Sequence, residues 1–254
     1  MSAASRGHRR KELLVAGSAL SILAVVGVLP PGTLVPVRAV AAVLALALAG
    51  WAWRRQLASA SLAVLLAALT MLAGLGVLWQ LAMPLAIGAS WLAGRADPNL
   101  RTVGFPGGVI PAVPTLTCAA VTPVALILWV RWAEPDLSGL TGAIPDVHPA
   151  LLALGAGVFV LVNATFEEWI WRGSVQDRLT ELLGVRWGIA LQAASFGLIH
   201  TWGFPRGTAG VALVGVWAVA LGVLRHWAGG LHAVIVAHVV ADASIAAIVL
   251  LWLR

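Results

Sequence analysis

Apolar residues run in blocks of membrane length along this chain, at about 12–30, 36–53, 57–94, 109–132, 149–180, 186–203, 208–226 and 230–253. Blocks of this size predict transmembrane helices. The third is too long for one span. At ~1.5 Å per residue its 38 positions would reach ~57 Å against a hydrocarbon core of ~30 Å. It reads either as one over-long kinked helix or as a hairpin turning near Gly74-Leu75-Gly76, with Pro84 in its second arm. The 95–108 and 133–148 segments, with their Pro, Gly and Asp, read as loops. The expected fold is an all-α polytopic bundle of eight or nine transmembrane helices. It divides into N-terminal helices over 1–148 and a core over 149–254.

Composition supports this. The chain is 61% hydrophobic and 10% charged, which excludes an ordinary soluble domain. Its net charge of +6 comes from 15 Arg and one Lys. In this context the basic residues flank membrane spans and do not point to nucleic acid. The single cysteine, Cys118, cannot form an internal disulfide and reads as a small buried hydrophobe. The basic N-terminus before Leu13–Leu29 looks like a signal peptide, but the many later spans favour an uncleaved first helix.

Charge asymmetry favours the hairpin. With the N-terminus cytoplasmic and nine spans, the inside holds Arg6, Arg9, Arg10, Lys11, Arg54, Arg55, Arg95, Arg101, Arg178, Arg186 and Arg225. The outside holds Arg38, Arg131, Arg206 and Arg254, with Glu134, Asp136 and Asp146. A single third span would split the basic residues almost evenly, against the positive-inside rule. The expected location is the cell membrane, with lipid as surroundings.

Against this apolar background three polar groups stand out: Glu167-Glu168-x-x-x-Arg172, Phe196-x-x-x-His200 and His238-x-x-x-Asp242. Ionisable residues inside a span are costly, so their default reading is function, with a partner nearby. Glu168 and Arg172 are four apart and face each other on a helix. Glu167, about 100° round, is left without a local counter-ion. Counted from Arg178, Arg186 and Arg225, Glu167 is 11 residues deep, His200 14 and His238 13. Those depths are roughly 16, 21 and 20 Å. One carboxylate and two imidazoles at a common level predict a shared polar cavity, expected to open towards Arg178 and Arg186. Asn163, one turn above Glu167, is a candidate supporting residue. Gln192 and Ser195 are candidate cavity-lining residues, and His148 a candidate cap.

In this order on successive helices, the three motifs resemble the CPBP family of CAAX-processing and bacteriocin-processing intramembrane proteases. The resemblance covers about 149–250. It implies hydrolysis of a peptide bond in a membrane-associated protein or peptide. Glu167 and His200 would activate a water, and Glu168 with Arg172 would hold the site. His238 and Asp242 would stabilise the oxyanion. An ionised Asp cannot donate to an oxyanion, so Asp242 is either protonated or orients His238. Glu167, His200 and His238 also suit a zinc set with an open position for water. They equally suit metal-free general-base catalysis. The orienting position of Asp242 and the lack of a further ligand tilt the reading to the metal-free form. Buried Glu, His and Arg also serve ion- or proton-coupled transporters, though no internal repeat is present. A non-catalytic scaffold or immunity protein of the same fold is the third reading.

Overall fold

The computed structural model describes residues 3–30, 35–97, 107–138, 142 and 144–252. Arg101 and Arg254, and parts of the two long loops, lie outside the described residues. No strand occurs among the described residues. The helices are α1 (Ala3–Val28), α2 (Val35–Arg54), α3 (Ala60–Gly74), α4 (Trp79–Ala96), α5 (Ala112–Ala133), α6 (Pro149–Glu168), α7 (Gln176–Leu183), α8 (Val185–Ile199), α9 (Gly207–Ala228) and α10 (His232–Ala247). A π-helical turn, Trp169–Val175, joins α6 to α7, and a second, Ile248–Trp252, follows α10.

Six helical runs among the described residues are long and apolar enough to cross a membrane: Ser5–Val28, Pro36–Arg54, Ala112–Ala133, Pro149–Leu183, Gly207–Ala228 and His232–Leu251. The long 57–94 block is a hairpin, as the charge count favoured. α3 ends at Gly74 with Leu75 as its C-cap, and Gly76 takes φ +73°, a conformation that costs glycine little. α3 has 15 residues, about 22 Å, short of a ~30 Å core. By its length α3 therefore turns before crossing such a core, with Leu75 and Leu78 exposed at the tip.

Several charged residues meet at one end of the bundle. Buried Arg178 bonds Glu12 Oε2 (2.7 Å), Glu181 Oε2 (2.7 Å) and Ser59 Oγ (2.8 Å). Glu12 accepts from the amides of Ala58 and Ser59 at 2.8 and 2.9 Å, where α3 begins. Arg9 donates to Leu182 O, and Arg225 pairs with Asp177. This network ties α1, α3, α7 and α9 together at the Arg178 end.

Just inside that end the helices close tightly. A Cβ on Gly188 would meet Thr180 Oγ1 at 2.3 Å, and one on Gly222 would meet Ile189 Cγ2 at 2.9 Å. Gln176 and Gln192 donate across the gap to Gly222 O (2.9 Å) and Ala218 O (3.0 Å). One hydrophobic cluster runs from Val15 and Leu66 to Trp171 and Phe196, joining the N-terminal helices to the later ones. At the opposite end His148 caps α6, its Nδ1 accepting from Ala150 N (3.2 Å), with Pro149 in the first turn.

Candidate active site

α6 delivers Asn163, Glu167 and Glu168 to the centre of the bundle, where each is buried. Immediately after Glu168 the backbone turns π-helical. Such turns widen a helix locally and recur at functional sites. Arg172 still reaches back, its Nη1 2.7 Å from Glu168 Oε1, with both side chains fully buried. The guanidinium lies over the Phe196 ring at 4.6 Å and the Trp217 ring at 5.8 Å, a desolvated cation–π arrangement.

Glu168 serves a second partner. The same Oε1 is 2.6 Å from His238 Nδ1. A carboxylate only accepts, so Nδ1 carries the proton. That fixes the imidazole and directs Nε2 towards Glu167 Oε2 (3.8 Å) and Asp242 Oδ1 (3.5 Å). Trp217 packs edge-on to His238 at 4.9 Å, and its own N–H donates to Thr122 Oγ1 on α5 (3.0 Å).

Glu167 is held differently. Its Oε1 accepts from the indole N–H of Trp79 at 2.9 Å. Its Oε2 is buried without a hydrogen-bond partner among the described residues. Asp242 Oδ2 accepts from Asn163 Nδ2 (3.1 Å), and Asn163 Oδ1 accepts from Gln80 Nε2 (3.4 Å). His200 ends α8, with Nδ1 2.8 Å from Phe196 O. A carbonyl accepts, so this proton is also on Nδ1, which leaves Nε2 with its lone pair.

Glu167, His200, His238, Asp242 and Asn163 all line one cavity of about 1200 Å³. The common level of the motifs and the shared cavity are thus present together. The direction of opening differs from expectation. The cavity runs from Glu167 along Leu151 to Phe159 of α6, towards Leu137, Val147 and Gly203–Arg206. It opens away from Arg178 and Arg186. The close packing at Gly188 and Gly222 shuts the other side. The depths of ~16–21 Å already exceeded half of a ~30 Å core.

Gln192 and Ser195 do not line the cavity. Gln192 is consumed by Ala218 O, and Ser195 Oγ turns back to Leu191 O and Gln192 O, both 2.9 Å. Trp79, Gln80 and Trp217 were not expected at the site. Gln80 is a polar residue in an apolar arm, a signal that could have marked it. At the rim, Arg206 donates to Asp136 O (2.9 Å). The Ser138 hydroxyl and amide hold the Asp136 carboxyl below the usual carboxylate range.

Residues 149–244 match the family described as type II CAAX prenyl endopeptidase Rce1-like. This segment is therefore similar to the CPBP family that the three motifs resemble. The match and the six apolar helical runs together support a multi-pass membrane protein. No curated protein and no solved structure matches the chain. The matched segment holds every motif residue from Asn163 to Asp242 and excludes Trp79 and Gln80, which lie on α4.

A zinc centre at Glu167, His200 and His238 was one of two expected arrangements. Among the described residues, no group of three or more His, Cys, Asp or Glu side chains converges as a metal-binding set. No step below passes through a metal.

Proposed function

We propose that this protein is a CPBP-type intramembrane endopeptidase that hydrolyses a peptide bond with a water activated by Glu167. The observation that carries this reading is Glu167 itself. One oxygen is anchored by Trp79, and the other is buried, unpartnered and beside an imidazole in a large apolar cavity. Glu167 Oε2 takes one proton from the water as its oxygen attacks the carbonyl carbon. His200 Nε2 accepts from the same water and fixes its direction. In its doubly protonated form His238 offers Nε2–H to the oxyanion, with Nδ1–H on Glu168. As the carbon–nitrogen bond breaks, Glu167 gives its proton to the departing amine. Asp242, 3.5 Å from Nε2 and tied to Asn163, orients His238 and does not itself donate.

Cleaved termini compared in membranes carrying wild-type and Glu167→Gln protein test this reading. Sites cut only by the wild type support it and name the substrate; identical termini overturn it. Because the activation is assigned to Glu167 and His200, EDTA or phenanthroline is expected to leave cleavage unchanged. Loss of activity restored by zinc would return Glu167, His200 and His238 to a ligand role.

With the basic end cytoplasmic, as the charge distribution favours, the cavity opens on the other face and the substrate reaches Glu167 from there. Single cysteines test this in a Cys118→Ser background. A membrane-impermeant maleimide is expected to label Asp136→Cys, and not Gln56→Cys, on intact cells. The reverse pattern overturns the orientation.

A further inference from the structure

The α3–α4 hairpin lies outside the segment that matches the family, yet its tip makes two of the site's hydrogen bonds. α3 is too short for a ~30 Å core, and the turn at Leu75–Leu78 delivers the first two residues of α4 to the level of the motifs. Trp79 Nε1 donates to Glu167 Oε1 at 2.9 Å. Gln80 Nε2 approaches Asn163 Oδ1 at 3.4 Å, and Asn163 donates to Asp242 Oδ2 at 3.1 Å. Adjacent residues of one helix therefore reach both carboxylates that face His238 Nε2. The contact to Glu167 is direct, and the contact to Asp242 passes through one amide.

We infer that Trp79 and Gln80 form a positioning arm that holds Glu167 and Asp242 in register with His238. This rests on the endopeptidase reading of Glu167. A carboxylate at the end of two methylenes can rotate either oxygen towards a bound water. An N–H locked on Oε1 removes that freedom and leaves Oε2 as the oxygen that works. Indole suits the task because its nitrogen only donates. Trp79 cannot compete with Glu167 for a proton, and its ring fills the space beside the acid. The amide of Asn163 is likewise fixed. Its oxygen accepts from Gln80, so its nitrogen must face Asp242. That hydrogen bond needs the acceptor form of Asp242 Oδ2, which fits an orienting and not a donating Asp242. Pre-organisation of this kind matters because small displacements of a reacting group cost large factors in rate.

Trp79→Phe removes the N–H and keeps an aromatic ring. On the substrate found by the Glu167→Gln comparison, kcat is expected to fall about tenfold or more, the factor a hydrogen bond to a charged group is worth. KM and the thermal midpoint of the purified full-length protein should stay near wild type. Wild-type kcat overturns the inference. So does a fall in kcat that appears only together with a lowered midpoint. A second measurement needs no substrate. In ¹⁵N-indole-labelled full-length protein, the Trp79 resonance, assigned by its loss in Trp79→Phe, should shift on Glu167→Gln more than that of Trp217. An unmoved Trp79 resonance overturns the contact. If Glu167→Gln cuts like the wild type, the endopeptidase reading falls, and the indole resonance alone decides whether the arm holds Glu167.

Discussion

Glu167→Gln is expected to lower peptide hydrolysis by roughly 10²–10⁴-fold, the contribution of a positioned general base, while the protein still folds. The substitution keeps the size and shape of the side chain. Its amide oxygen can still accept from Trp79 Nε1, so the contact that anchors Glu167 at 2.9 Å survives. What is lost is the second oxygen, Oε2, which has no hydrogen-bond partner among the described residues. An NH₂ group there cannot take a proton from water. His200→Ala should reduce the rate by a similar factor, because its Nδ1 is committed to Phe196 O and only Nε2 serves the cavity. Cleavage of the identified substrate, measured beside the thermal midpoint in detergent, checks both. Full hydrolysis by both variants, at unchanged midpoints, would remove the basis for assigning water activation to these residues.

Much of this arrangement was legible in the sequence because a membrane makes polar residues conspicuous. Glu167, His200 and His238 stood out against apolar runs, and counting from flanking arginines put them at one level. The pairing of Glu168 with Arg172 followed from helical spacing, although the backbone between them is π-helical. The hairpin at Gly74–Gly76 followed from length and charge. Other features were hidden for physical reasons. The side on which the cavity opens depends on how closely α7, α8 and α9 approach, and that is set by Gly188 and Gly222, which carry no polar signal. Gln192 and Ser195 shared helix α8 with His200, but spacing does not reveal which backbone carbonyls a polar side chain will find. Glu168 joining Arg172 to His238 is a contact between residues 70 positions apart. Trp79 was invisible because tryptophan in a membrane chain reads first as an interfacial anchor, and its donor to Glu167 spans 88 positions.

Arg172→Ala should destabilise the protein by about 3–5 kcal/mol, the cost typical of breaking a buried ion pair by removing one partner. Glu168 and Arg172 are both fully buried and 2.7 Å apart. Without the guanidinium, the Glu168 carboxylate keeps only His238 Nδ1, at 2.6 Å. The space over the Phe196 ring, where the guanidinium stacks at 4.6 Å, would lose its packing as well. Adding Glu168→Gln neutralises the stranded charge, so the double variant should recover part of the lost thermal midpoint. It should not recover activity. A neutral amide is a weaker acceptor for His238 Nδ1–H and no longer fixes the imidazole that aims Nε2 at Glu167 and Asp242. Stability and catalysis therefore separate at this one carboxylate. Arg172 answers to the folding energy of Glu168, and His238 answers to its direction. Midpoints of the single and double variants in detergent, with cleavage measured on the same preparations, test the separation. A single Arg172→Ala variant as stable as wild type would show that Glu168 does not depend on this pairing.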